Sequence, residues 1–106
     1  MSKIQDLTPE EVAARMKIGG VELIDVREPG EYDAERISGA MLFPLSTFDP
    51  HALPKNVDII FHCGIGKRSA MAVAKAQAAG LRHCAHLAGG LQAWKAAGLQ
   101  TLVKKT

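Results

Sequence analysis

The sequence predicts an α/β sandwich with a mostly parallel sheet. Short apolar runs typical of strands alternate with segments of helical pattern, the order expected of strand–helix–strand units. The run from Val57 to His62 is apolar on both faces, as a strand at the centre of a parallel sheet requires. Glycines follow the predicted helices at Gly19, Gly80 and Gly98, where helices commonly end.

The first half of the chain opens with the clearest helix signal. Thr8 is suited to be the N-cap, Pro9 to the first turn, and Glu11 to closing a capping box, so we expect a helix to about Lys17. The elements that follow are a strand over 21–26, a short helix or turn over 29–35, and a short strand over 41–43 that a proline ends.

The second half repeats the alternation. Residues 45–54 are predicted to form a loop with one helical turn. The remaining elements are a strand over 57–62, a helix over 69–79, a short strand over 84–87 and a helix over 91–97.

Size and charge limit the classes of function. We expect residues 1–106 to form a single domain, and the 47% hydrophobic content can fill one core. A net charge of +2 gives no reason to expect nucleic acid or membrane partners. The first residues lack the apolar core of a signal peptide, and no apolar run is long enough to span a bilayer. These features predict a cytoplasmic protein.

Cys63 is the most informative residue. It ends an apolar strand and precedes a short glycine loop and a helix, a geometry that aims several backbone N–H groups at one point. Those amides, the helix dipole and the cations Lys67 and Arg68 all favour the thiolate. A thiolate at neutral pH is a nucleophile, so the sequence predicts an enzyme that forms a covalent bond at Cys63.

Three blocks of sequence carry a family resemblance. Together they span nearly the whole chain and resemble the rhodanese-like sulfurtransferases in order and spacing. The blocks are Ile24-Asp25-Val26-Arg27 with Glu31-Tyr32 and Ile37-Ser38-Gly39-Ala40; Cys63-x-x-Gly66-x-Arg68-Ser69; and Leu87-Ala88-Gly89-Gly90 continuing to Trp94 and Leu99.

The resemblance implies a three-layer α/β/α sandwich around a central five-stranded, mostly parallel sheet. It also implies transfer of a sulfane sulfur from a donor such as thiosulfate to a thiophilic acceptor: cyanide, a thiol or a dithiol, with a sulfur-relay protein as a further candidate partner. Cys63 would be the nucleophile and would carry a persulfide, and no metal or organic cofactor is expected. The substrate-binding residues would be Gly64, Ile65, Gly66, Lys67, Arg68 and Ser69.

Several alternatives stay open. Related phosphatases and arsenate reductases carry Cys-x5-Arg, one residue more than the Cys-x4-Arg loop from Cys63 to Arg68, and the shorter loop favours sulfur over phosphate. A persulfide carrier or interaction module with slow turnover would need the same residues. The chain departs from the family at Arg36 and Ser38, where histidine and proline are common, and at Gly64, which is often arginine in thiosulfate-preferring members.

Other polar and sulfur-bearing residues are interpreted as structural. Asp25 and Arg27 are expected to pair with loop groups or with neighbours such as Glu31. His62 should face away from Cys63, since side chains alternate along a strand. Three further residues, His83, Cys84 and His86, are spaced unlike any structural zinc site. Cys84 is expected in the core, and Trp94 is expected to anchor the last helix there.

Overall fold

A computed structural model describes residues 4–83 and 85–105, in which a five-stranded sheet forms the centre of the fold. Its elements run in chain order as β1 (Gln5–Leu7), α1 (Pro9–Ile18), β2 (Val21–Asp25), α2 (Pro29–Ala34), β3 (Glu35–Arg36), β4 (Met41–Leu42), β5 (Asp58–His62), α3 (Lys67–Ala78), β6 (Ala85–Leu87), α4 (Gly90–Ala96) and β7 (Leu102–Val103).

The central sheet has the strand order β1-β6-β5-β2-β4, and every neighbouring pair is parallel. The predicted α/β fold with a five-stranded parallel sheet is therefore confirmed. The strand β1 was not predicted from its residues, because three residues containing the polar pair Gln5 and Asp6 carry no strand periodicity. Pairing with β6 along its whole length brings it into the sheet.

Two apolar clusters cover the two faces of the sheet. Along β5 the side chains alternate: Ile60 belongs to the cluster that includes Val12 of α1 and Trp94 of α4. Ile59 and Phe61 belong to the other cluster, with the buried apolar residues of α3. The carboxyl end of β5 is thus held between helices on both sides.

Helix α1 confirms the predicted N-terminus. Thr8 Oγ1 accepts a hydrogen bond from the Glu11 amide at 3.1 Å, and Glu11 Oε1 accepts one from the Thr8 amide at 2.9 Å. Helix α3, by contrast, begins at Lys67 rather than at the predicted Ser69. The reason is that Gly66 adopts φ +106° and turns the chain directly into the helix, so Lys67 and Arg68 form its first turn.

Smaller features also differ from the sequence prediction. Residues 45–54 contain two 3-10 turns, Leu45–Thr47 and Pro50–Ala52, instead of one helical turn. A second, two-stranded antiparallel sheet of β3 and β7 was not predicted, since two-residue strands leave no periodic pattern. Cys84, expected in the core, lies outside the described residues. Within 4–83 and 85–105, no helix combines the length and apolarity needed to cross a membrane.

Candidate active site

Cys63 directly follows β5 and is fully buried. Its sulfur accepts hydrogen bonds from the amides of Gly66, at 3.1 Å, and Ser69, at 3.3 Å. The Ser69 hydroxyl oxygen lies 3.6 Å from the same sulfur. The loop thus closes around the Sγ atom and directs donors at it, as the sequence predicted for a strand, glycine loop and helix.

These contacts change the acidity of the thiol. Burial raises the pKa of the Cys63 thiol, since an anion is poorly solvated inside the protein. Hydrogen bonds from the Ser69 hydroxyl and from the amides of Ser69, Gly66 and Ile65 outweigh that effect and leave the pKa below its ordinary value. A larger fraction of Cys63 is therefore thiolate at neutral pH than in an unstructured chain.

The N-terminus of α4 holds the outer side of the loop. The Leu91 amide donates to the Cys63 carbonyl at 2.8 Å, and the Gln92 amide donates to the Gly64 carbonyl at 3.1 Å. Gly90, with φ +61°, permits this approach, because a Cβ built there would lie 2.6 Å from the Gly64 carbonyl carbon. Because the Cys63 and Gly64 carbonyls are bound by α4 on the outer side, the N–H groups of the loop can face the sulfur on the inner side.

The two loop cations differ in their surroundings. Lys67 is exposed on the first turn of α3. Arg68 forms a two-point ion pair with Glu31 of α2, Nη1 to Oε1 at 2.6 Å and Nη2 to Oε2 at 2.9 Å. A Cβ built on Gly64 would lie 3.3 Å from Arg68 Nη2, so the guanidinium also lies close to Gly64. Ile65, which is also in the loop, is 58% exposed.

Asp25 and Arg27 pair with each other beneath the site. Both are buried, and Arg27 Nη2 lies 2.8 Å from Asp25 Oδ2. His62 Nε2 approaches the same oxygen at 3.3 Å without the alignment of a hydrogen bond, and its Nδ1 lies 3.2 Å from the Cys63 carbonyl oxygen. Burial raises the pKa of Asp25, but the contacts with His62 and Arg27 outweigh it and hold the pKa well below its usual range.

This geometry corrects one expected pairing. Glu31 was named as a neighbour for Asp25 and Arg27, but its carboxylate binds Arg68. Arg27 instead donates to Asp25 and to the Glu35 carbonyl. The two carboxylates lie on different elements, and the buried Asp25 already satisfies Arg27.

A series of hydrogen-bonded side chains next to Cys63 was not predicted from the sequence. Ser69 Oγ lies 2.8 Å from Nδ1 of His86, and Nε2 of His86 lies 2.7 Å from Asp6 Oδ1. Asp6 and His86 face each other in the parallel register of β1 and β6. The pairing of β1 with β6 would have indicated that Asp6 and His86 are neighbours, but β1 was not predicted.

Side chains that could bind a metal do not cluster in the part of the chain that the structure describes. In 4–83 and 85–105, no three His, Cys, Asp or Glu side chains come together as a possible metal site. Of the residues considered for zinc, His86 uses both ring nitrogens on Ser69 and Asp6. The carboxylates of Asp25 and Glu31 are likewise engaged, by Arg27 and Arg68.

Known proteins resemble this chain in sequence and in fold. The family model described as a Rhodanese-like domain matches residues 8–97. An uncharacterized protein of Synechocystis is 37% identical over 101 residues, which cover 93% of this chain and 56% of that protein. A protein of Allochromatium vinosum named sulfurtransferase is 32% identical over 79 residues, covering 73% of this chain and 74% of the relative.

Solved structures agree with the sequence match. The rhodanese-like domain of an Anabaena protein superposes with a TM-score of 0.82 at 28% identity, covering 98% of this chain and 81% of the other. The chain spans about half or less of the length of the first curated relatives it matches, 56% of one and 25% of another.

Proposed function

The chain belongs to the rhodanese-like domain family, and from that premise we propose that it is a sulfurtransferase with Cys63 as its nucleophile. The observation that carries the proposal is the set of polar groups around the Cys63 sulfur: the Gly66 and Ser69 amides donate to it at 3.1 and 3.3 Å, and the Ser69 hydroxyl oxygen lies 3.6 Å away. Such donors stabilise an anionic sulfur, whether a thiolate or a persulfide.

The proposed reaction has two halves. In the first, the Cys63 thiolate attacks the outer sulfur of thiosulfate, a new S–S bond forms, and the S–S bond of thiosulfate breaks to release sulfite with its electron pair. In the second, an acceptor such as a thiol, a dithiol or cyanide attacks the outer persulfide sulfur. That step breaks the S–S bond to Cys63 and regenerates the thiolate, so the cycle is ping-pong.

The loop residues have separate roles in this proposal. In this proposal Gly64, Ile65, Gly66 and Ser69 surround the transferred sulfur, and the Gly66 and Ser69 amides, which donate to Cys63 Sγ, support that role. Lys67 is exposed and attracts an anionic donor by its charge. Arg68 offers a planar fork for the same anion, although Glu31 competes for it. A free thiolate and a thiol acceptor fit a reducing, cytoplasmic setting.

One observation favours a second candidate, a persulfide carrier that takes sulfur from a protein donor. Arg68 already binds Glu31 at two points, so part of its charge is offset before a free dianion such as thiosulfate arrives. A persulfide delivered by a sulfur-relay protein would not depend on that charge. The same Cys63 would accept the sulfur, and turnover with thiosulfate would be slow.

Steady-state kinetics test the proposal. Thiosulfate should be varied against cyanide and against a dithiol, with a phosphate ester assayed in parallel. We expect parallel lines in double-reciprocal plots, no phosphate release, and complete loss of sulfur transfer in a folded Cys63→Ser protein. Cys84→Ser is the control and should keep its activity. Sulfur transfer retained in Cys63→Ser, or phosphate-ester hydrolysis that depends on Cys63, would overturn the proposal.

A further inference from the structure

We infer that His86 is the proton acceptor for Cys63 and acts on it through the Ser69 hydroxyl. The inference rests on the proposed function of Cys63 and adds two residues that the loop motif does not contain, His86 and Asp6. Its basis is a continuous series of contacts: Cys63 Sγ to Ser69 Oγ at 3.6 Å, Ser69 Oγ to His86 Nδ1 at 2.8 Å, and His86 Nε2 to Asp6 Oδ1 at 2.7 Å.

The partner at each end fixes where the protons lie. A carboxylate can only accept, so His86 Nε2 carries a hydrogen and donates it to Asp6. In the neutral imidazole Nδ1 is then bare and must accept, and the Ser69 hydroxyl donates to it. The hydroxyl has one proton and also lies 3.2 Å from the Gly66 carbonyl, but the contact with His86 is the shorter. The Ser69 oxygen is left to accept from the Cys63 thiol.

A proton can pass from the Cys63 thiol to His86 without any change in the heavy-atom positions. The Cys63 S–H bond breaks, its proton joins the Ser69 oxygen, and the former hydroxyl proton forms an N–H bond at His86 Nδ1. Ser69 is again a neutral hydroxyl and now donates to the thiolate, while both nitrogens of the imidazolium donate, one to Ser69 and one to Asp6. One proton has moved and no side chain has turned.

Burial protects this series of contacts from water. His86 is 6% exposed and Ser69 is fully buried, so bulk water does not replace the contact of Ser69 with Cys63 or with His86. Asp6 is 71% exposed, which makes it a positioning residue that fixes the tautomer of His86 rather than a desolvated charge. His86 lies beside Phe61 of β5 in the sheet register, on the face covered by α3.

Other charged side chains lie on the elements around the Cys63 loop. Arg68 and Lys67 lie on the first turn of α3, and Glu31 of α2 is bound to Arg68. Asp25 of β2 is bound to Arg27 and lies against His62, the last residue of β5. None of these contacts includes His86 or Asp6, so all of them remain when His86 is replaced.

The test measures thiolate formation without using sulfur transfer. The rate of alkylation of Cys63 by iodoacetamide, a neutral reagent, is followed against pH by mass spectrometry of the peptide that carries Cys63. In His86→Gln the midpoint should rise by about one pH unit, and the rate near pH 7 should fall about tenfold. His51→Gln, which replaces an exposed histidine on a 3-10 turn, is the matched control and should leave the midpoint unchanged.

A double replacement distinguishes proton transfer through Ser69 from a direct effect of the His86 charge on Cys63. Ser69→Ala should raise the midpoint too, and His86→Gln added to Ser69→Ala should raise it no further, because the path is already broken. Asp6→Asn keeps an oxygen that can accept from His86 and should give a smaller rise. Full additivity of Ser69→Ala and His86→Gln, or an unchanged midpoint in folded His86→Gln, would overturn the inference.

A reciprocal measurement covers the case in which His86→Gln does not fold. The imidazole protons of His86 are followed by NMR against pH in the parent and in Cys63→Ser. Loss of the thiolate should make His86 lose its proton at lower pH, and an identical titration in both proteins would overturn the inference. Failure of the relay with sulfur transfer intact would leave the proposed function standing. A Cys63 that reacts with iodoacetamide as expected but transfers no sulfur would contradict the proposed function and leave the relay standing.

Discussion

Glu31 and Arg68 form a two-point ion pair that joins α2 to the first turn of α3, with N–O distances of 2.6 and 2.9 Å. The Arg68 guanidinium lowers the pKa of Glu31 to about 2, so the pair is charged at every pH where the protein would work. Both side chains remain about a third or more exposed, which limits its contribution to stability. Its main consequence is that the cation nearest Gly64 is already partnered.

Releasing Arg68 should therefore strengthen donor binding. Glu31→Gln should lower the KM for thiosulfate by about two- to fivefold, the range that an exposed ion pair of up to about 1 kcal/mol can give. Glutamine can still accept the Glu28 amide that caps α2. Asp33→Asn removes an equal charge from a pair with Lys104 and is the control. An equal fall in KM in both variants would show a general charge effect instead.

Replacing Arg68 should weaken donor binding. Arg68→Ala should raise the KM for thiosulfate and raise the Cys63 pKa, because a cation that favours the anionic sulfur is lost. Lys67→Ala should do the same more weakly, since an ammonium is a flexible point charge. Thiolate absorbance titration and KM at several ionic strengths measure both effects. If Arg68 serves only to tie α3 to α2, its replacement will lower thermal stability and leave KM and the thiol pKa unchanged.

Gly90 should be the least replaceable glycine near the site. Gly90→Ala places a Cβ 2.6 and 2.7 Å from the Gly64 carbonyl carbon and oxygen, in addition to the strain of a positive φ. The strain should cost about 1–2 kcal/mol, and the overlap about 1–3 kcal/mol more. Gly98→Ala has the strain but nothing within 4 Å of its Cβ, so urea unfolding of the two variants isolates the overlap. Equal losses in the free energy of unfolding would mean that the close packing of α4 against the loop does not limit residue 90.

The buried Asp25 should make stability depend on pH. Its pKa is depressed in the folded state, so its contribution is complete above the unfolded-state value near 4 and is lost as pH falls further toward the folded-state value. Asp25→Asn leaves Arg27 buried without its carboxylate and should lower the free energy of unfolding by about 3–5 kcal/mol at neutral pH.

Urea unfolding from neutral pH down to about pH 2 checks this, and the difference from the parent should shrink below about pH 4. Asp58→Asn is the matched control, because its pair with Arg15 is 3.6 Å long and its side chain is 77% exposed. That variant should lose less than about 1 kcal/mol. A deficit in Asp25→Asn that stayed constant over the whole pH range would contradict the role given to the Asp25 charge.

The sequence was informative where a feature is local. The capping box of Thr8 and Glu11 and the buried strand before Cys63 depend on neighbouring residues, and each was predicted with boundaries close to those observed. Five strands were expected only from the family resemblance, because β1 is three residues long and takes its structure from β6.

Features that depend on tertiary pairing were not predictable from pattern. Glu31 and Arg68 are 37 residues apart, and Asp6 and His86 are 80 residues apart. Nothing in the spacing of such residues says which will meet. His86 could be considered only as a metal ligand until the register of β1 and β6 placed Asp6 beside it and α3 brought Ser69 to its other nitrogen.

The mass of the protein after exposure to thiosulfate shows whether Cys63 accepts the sulfur. We expect a gain of one sulfur atom, ~32 Da, on the peptide that carries Cys63, as attack on the outer sulfur requires. The added mass should disappear on exposure to cyanide or a dithiol, and Cys63→Ser should never gain it. No gain of mass at Cys63, or a gain found only at Cys84, would contradict the role of Cys63 as the nucleophile.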